Sequence, residues 1–200
     1  AIEDTAAASL PKDYHIEWTG LSYQERQNAG QIVTLMGLAL LFAYLFLVAQ
    51  YESWTIPLSV MLSVLFAVMG ALLGLELTGG DMSIYTQLGM VMLIGLAGKN
   101  AILMVEFAKT ARESGLSIIE AAKQGASIRF RAVMMTAWSF LFGVLPLVFA
   151  TGAGSASRRA IGITTFAGML TATLIGIFFI PFLFTLFETL REKFHAWRRS

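Results

Sequence analysis

Five long stretches of this 200-residue chain carry no charged side chain, and they decide what it can fold into. They run from Gln27 to Tyr51, Ser53 to Leu75, Met82 to Gly98, Ala132 to Ser157 and Ala160 to Phe187. About 20 apolar residues in a helix cross the ~30 Å hydrocarbon layer of a bilayer. Four of the stretches suffice alone, and the third does so if it continues through Lys99. The spacing predicts five transmembrane helices near 31–50, 56–77, 86–108, 133–152 and 161–187, an all-α membrane domain. Composition agrees: 56% hydrophobic and 14% charged residues, with a mean hydropathy of +0.70, are too apolar for an ordinary soluble domain of this length. A net charge of +1 gives no footprint for nucleic acid, and zero cysteines exclude disulfides, thiol catalysis and cysteine-ligated metal.

Residues 1–30 are polar, and no short apolar region with a cleavage site is visible among them. Tyr14, Ile16 and Trp18 alternate with His15 and Glu17 as in a half-buried strand. Thirty residues cannot build their own core, so they read as the end of a larger extramembrane domain. The chain begins at Ala1 rather than Met and is expected to be part of something longer. Of the 14 basic residues, Lys12, Arg26, Arg158 and Arg159 fall on the amino-terminal side. Nine fall opposite, namely Lys109, Arg112, Lys123, Arg129, Arg131, Arg191, Lys193, Arg198 and Arg199. The excess of positive charge inside orients the amino terminus outward and the carboxyl terminus, with a tail from 188 to 200, in the cytoplasm.

Ser117-Ile118-Ile119-Glu120 has capping-box spacing and predicts a short helix along the inner surface before the fourth span. Phe187, Leu190, Phe194 and Trp197 share a face and predict an interfacial end to the last helix. Gly70 and Gly74, Ala97 and Ala101, and Gly168, Ala172 and Gly176 recur at four-residue spacing, which permits close helix packing. Pro146 and Pro181 are expected to kink their helices.

Lys99 is the residue without a cheap structural explanation. A cation at mid-span costs ~2.5–3.5 kcal/mol on insertion scales, and such groups mark ion or proton pathways with a carboxylate partner. Polar surface at Lys109 is roughly 15 Å away at 1.5 Å per residue, beyond reach for snorkelling. Glu106 lies two turns along on the same face, towards the cytoplasm, and suits an interfacial position, as does Arg131. Asn100 points to a neighbouring helix as a polar contact, and Glu106 is a second candidate for such a contact. Arg129 and Thr136 repeat the seven-residue spacing at the start of the fourth helix. The arginine suits either an interfacial anchor or a functional role, and the threonine suits a bond to its own backbone. HExxH, GxSxG, GxxxxGK[ST] and paired intramembrane aspartates are all missing from the sequence, which disfavours an enzyme. Thr151-Gly152-Ala153-Gly154-Ser155 reads as a turn. His15 and His195 lie on opposite sides of the membrane, so no metal site or cofactor is expected.

The run Gly95-Leu96-Ala97-Gly98-Lys99-Asn100-Ala101-Ile102-Leu103-Met104-Val105-Glu106-Phe107-Ala108 resembles the tenth transmembrane helix of resistance-nodulation-division (RND) efflux pumps of the multidrug type. Trp18-Thr19-Gly20-Leu21-Ser22-Tyr23-Gln24-Glu25 resembles the exit from their periplasmic porter domain. Tyr51-Glu52-Ser53-Trp54 with Ile56-Pro57 resembles the loop between helices eight and nine. Gly143-Val144-Leu145-Pro146-Leu147 and Thr151-Gly152-Ala153-Gly154 resemble helix eleven and its outer end. The resemblance covers nearly the whole chain. It implies family helices eight to twelve behind a remnant of the α+β porter domain at 1–30.

It also implies that Lys99, Arg129 and Thr136 belong to an intramembrane proton relay completed by two aspartates of a fourth helix, which this sequence does not contain. The implied activity is drug/proton antiport in the bacterial inner membrane. The implied assembly is a homotrimer working with a periplasmic adaptor and an outer-membrane channel. Ala132 stands where the family usually has proline, and Gly98 where it has a larger small residue. The Lys-Asn pair favours drug export over the metal-exporting branch. A protein- or lipid-export relative and a non-transporting membrane scaffold are the alternatives.

Overall fold

The computed structural model describes residues 19, 20, 23 and 31–199. The strand expected around Tyr14–Trp18 and most of the porter remnant lie outside them. The helices are α1 (Gln31–Tyr51), α2 (Ile56–Leu77), α3 (Ile84–Glu113), α4 (Ile118–Val148) and α5 (Ser155–Arg199). No strand occurs among the described residues. The protein is an all-α membrane protein: α2, α3, α4 and residues 155–193 of α5 are long and apolar enough to span a bilayer. Within the described side chains of α1, the apolar helix is the shorter Leu40–Tyr51.

The chain divides into Ala1–Leu41 and Phe42–Ser200. In the first unit Leu38 and Leu41 are exposed. In the second, α5 packs against α2, α3 and α4, and α3 packs against α4. Lipid is as apolar as leucine, so small residues that admit close backbones must hold these helices together. A Cβ on Gly70 would lie 2.3 Å from the Thr171 Cβ, and one on Gly74 would lie 2.2 Å from the Ala167 Cβ. One on Gly168 would meet the Ala67 carbonyl oxygen at 2.9 Å. The expected small-residue stripes at 70/74 and 168 are therefore contact surfaces of α2 and α5. Gly176 is different, since only Ile180 of its own helix approaches it.

Two buried clusters result. One gathers Tyr51, Ile56, Val60, Met104, Val105 and Phe184; the other gathers Ala67, Leu93, Ala137, Leu141 and Met169. The buried hydroxyls Ser59, Thr164, Thr165 and Thr173 all donate to carbonyls of their own helices, at 2.6–2.7 Å. Each thereby avoids an unpaired polar group in an apolar interior.

Two expectations about helix boundaries need correction. The capping box forms as predicted: the Glu120 N–H donates to Ser117 Oγ at 3.3 Å and the Ser117 N–H to the Glu120 carboxylate at 3.2 Å. The helix it opens does not stop at the surface but runs unbroken to Val148 as part of α4. Gly125, the residue most able to break it, is committed to packing, since a Cβ there would lie 2.6 Å from the Ala108 backbone nitrogen. At the other end α4 stops at Val148, short of 152, just beyond Pro146. The interfacial segment after the last span is likewise continuous with α5; there Phe187 is half-buried and Leu190 exposed, while the side chains of Phe194 and Trp197 lie outside the described residues.

The turn at Thr151–Ser155 is present, with Gly152 and Gly154 at φ +83° and +68°. Arg158 closes it by donating from Nη2 to the carbonyls of Ala153 at 2.7 Å and Thr151 at 3.2 Å.

Candidate functional site

Helix α3 presents its polar residues in order of depth. Ser83 caps it, accepting from the Thr86 N–H at 3.3 Å, and the Leu93 and Ala97 side of the helix is buried in the core. Lys99 lies on the opposite side: it is exposed and has no hydrogen bond or ion pair among the described residues. Asn100, one residue on, turns inward and lines a small cavity with Ser63 and Thr173.

Glu106, two turns below Lys99, makes no ion pair with it. Its surroundings belong to the end of the bundle where α1 meets α3. There the Tyr51 hydroxyl donates to the Ile102 carbonyl at 3.1 Å and Lys109 Nζ donates to the Tyr51 carbonyl at 3.4 Å. Lys109 also pairs with Glu113 at 3.7 Å.

On α4, the Arg129 guanidinium stacks over the Phe107 ring, 4.2 Å from its centroid, and its Nε has no acceptor among the described residues. A desolvated cation over an aromatic face gains ~2 kcal/mol or more, which holds the side chain in place but gives its Nε–H no acceptor. Thr136 is exposed and donates to the carbonyls of Ala132 and Val133, both at 3.0 Å, which is the local backbone bond anticipated for it. Lys99, Arg129 and Thr136 therefore do not form a bonded cluster among the described residues. Two of them, Lys99 and Thr136, occupy faces that these helices leave uncovered.

Sequence reasoning missed several polar groups. Glu188 is 7% exposed and accepts from Arg191 Nη1 at 3.2 Å. Arg112 pairs with Glu192, which ties the end of α3 to α5. Both were hidden because 188–200 reads as a tail when α5 is cut at 187. Ser63 and Thr173 offered only the signal of hydroxyls inside apolar runs. No group of three or more His, Asp or Glu among the described residues is placed to hold a metal ion.

A bundle of bilayer-length helices packed through glycine, carrying a lysine that is unpaired among the described residues and an arginine stacked on a phenylalanine ring, defines a polytopic membrane protein. Comparison with known proteins makes the class specific. The model of the AcrB/AcrD/AcrF family matches residues 1–188, and the chain belongs to this family of RND multidrug efflux transporters. It is 42% identical over 184 residues to the toluene efflux pump membrane transporter TtgB of Pseudomonas putida, covering 92% of this chain. It is 44% identical over 188 residues to the multidrug resistance protein MdtF of Escherichia coli (strain K12), covering 94%. It is 42% identical over 185 residues to the multidrug export protein AcrF of the same Escherichia coli strain, covering 92%. The chain spans 18% of the length of each of these relatives.

Proposed function

We propose that this chain is the carboxyl-terminal membrane portion of a proton-driven RND multidrug efflux transporter, contributing family helices eight to twelve. Lys99, Arg129 and Thr136 supply the basic and hydroxyl side of an intramembrane proton relay. The pump sits in the bacterial inner membrane with residues 1–30 in the periplasm and the carboxyl terminus in the cytoplasm. It works as a homotrimer with a periplasmic adaptor and an outer-membrane channel.

The observation that carries this reading is the position of Lys99. It projects from the bundle, unpaired among the described residues, from a helix of bilayer length. A cation left against lipid there would retain its full insertion cost. The rest of the pump must therefore cover that face, and carboxylates are the chemistry that stabilises the charge. Once they take up protons, their attraction to Lys99 weakens and the helices can shift against each other, a local charge change biasing a two-state element. Removing the lysine leaves those carboxylates without a cation and raises their pKa, so they stay protonated and cannot cycle.

The test is Lys99→Ala in the full-length parent, read as dye efflux from whole cells. Export should be abolished while expression and trimer assembly stay near normal. Efflux at the normal rate would show that the relay assignment is wrong.

A further inference from the structure

Between the two buried clusters lies a cavity of about 10 Å³. That is enough for one water molecule and too little for anything larger. Its walls include Ser63 of α2, Ala97, Asn100 and Met104 of α3, and Thr173 and Gly176 of α5.

The polar groups around the cavity are unequally satisfied. Ser63 Oγ donates to the Val60 carbonyl and Thr173 Oγ1 to the Met169 carbonyl, both at 2.7 Å, so each hydroxyl has spent its proton and keeps free lone pairs. The Asn100 side-chain amide has no hydrogen bond among the described residues. Two acceptors and an unused donor around a water-sized space match the valence of one water.

We propose that this cavity is a structural water site. The water accepts from the Asn100 amide nitrogen and donates one hydrogen each to Ser63 Oγ and Thr173 Oγ1. Three helices are thereby joined through one molecule at the depth of Lys99. The amide gains a partner without a direct side-chain contact, which Ser63 and Thr173 cannot offer with their protons already committed. Asn100 thus becomes a positioning residue: it fixes the rotation of α3 and so the direction in which its neighbour Lys99 leaves the bundle. That last consequence rests on the relay reading, whereas the water site itself does not.

Met104 provides a built-in reporter. It lines the cavity and is 2% exposed, while Met169 is equally buried at 2% and does not line it. X-ray radiolysis of the full-length transporter in aerated membranes generates hydroxyl radicals from bound water, which add to a neighbouring methionine sulfur, and dissolved oxygen removes the remaining hydrogen atom to leave the sulfoxide. Met104 should be oxidised severalfold faster than Met169. Thr173→Val and Ser63→Ala, which remove one acceptor each, should bring Met104 down towards the Met169 rate. Equal rates in the native protein would overturn the water site, and so would rapid Met104 oxidation unchanged by both substitutions. Dye efflux measured on the same variants separates the two ideas. Loss of the Met104 signal with efflux retained removes the positioning role but leaves the relay, and a failed relay leaves the radiolysis result untouched.

Discussion

Alanine at Gly125 and alanine at Gly98 should move stability in opposite directions, although both are buried glycines in transmembrane-class helices. A Cβ on Gly125 would lie 2.9 Å from the Ala108 Cα and 2.6 Å from its backbone nitrogen. Unstrained carbon contacts begin near ~3.5 Å, so α3 and α4 would have to separate by about 0.6 Å to clear the Cα and by more to clear the nitrogen. The obstructing atoms are backbone and cannot rotate away, and overpacking of this kind costs ~1–3 kcal/mol. A Cβ on Gly98 meets only the Val64 Cγ2, at 3.8 Å, which is ordinary contact. Both substitutions gain the same ~1 kcal/mol of helix propensity. The difference between the two variants therefore isolates the packing cost, ~1–3 kcal/mol. Thermal unfolding of the purified full-length transporter in detergent, followed by loss of the monodisperse peak, would measure it. Gly98→Ala should unfold at or above the native midpoint and Gly125→Ala below it. Midpoints that move together would refute the claim that glycine packing holds the α3–α4 pair.

Two further outcomes follow from the sequence and the caps. In a cysteine-free full-length background, an impermeant thiol reagent should label Ser9→Cys in intact spheroplasts and leave Ser117→Cys and Ser200→Cys protected; the reverse pattern would overturn the orientation drawn from the basic residues. In the polar first turn of α4, ahead of the charge-free stretch that starts at Ala132, hydrogen bonds from the Ser117 hydroxyl and N–H hold the Glu120 carboxyl below the usual glutamate range. A depressed folded-state pKa gives stability that is present above the unfolded value and lost as pH falls through the folded one. Acidification should therefore lower the amide protection factors in the first turn of α4, taken relative to the intrinsic exchange rate at each pH, and Ser117→Ala should weaken that pH dependence while the backbone N–H at 117 still donates to the carboxylate.

Much of the fold was legible because bilayer length and charge segregation are one-dimensional signals. The helices after Tyr51, the Ser117 capping box and the Thr151–Ser155 turn can all be read from residue order. Helix continuity could not. Whether Gly125 breaks a helix or packs in one depends on Ala108, seventeen positions earlier, and the sequence carries no mark of that contact. The site was legible residue by residue rather than as a constellation. Lys99 stands out because its cost is local. Arg129 over Phe107, the buried Glu188 and the Ser63–Asn100–Thr173 cavity depend on which faces meet. Lys99 and Glu106 share a helix face, as their spacing implies, but two turns apart they make no ion pair.

The central claim is that Lys99 couples proton movement to drug export, and proton flux reports it most directly. The full-length transporter would be reconstituted in liposomes with a pH-sensitive dye inside and an imposed pH gradient. With the native protein, adding transported substrate should accelerate proton flow through the pump. With Lys99→Ala the substrate-dependent flow should vanish, although the protein reconstitutes normally. Substrate-dependent proton flow of native size through the Lys99→Ala protein would contradict the account.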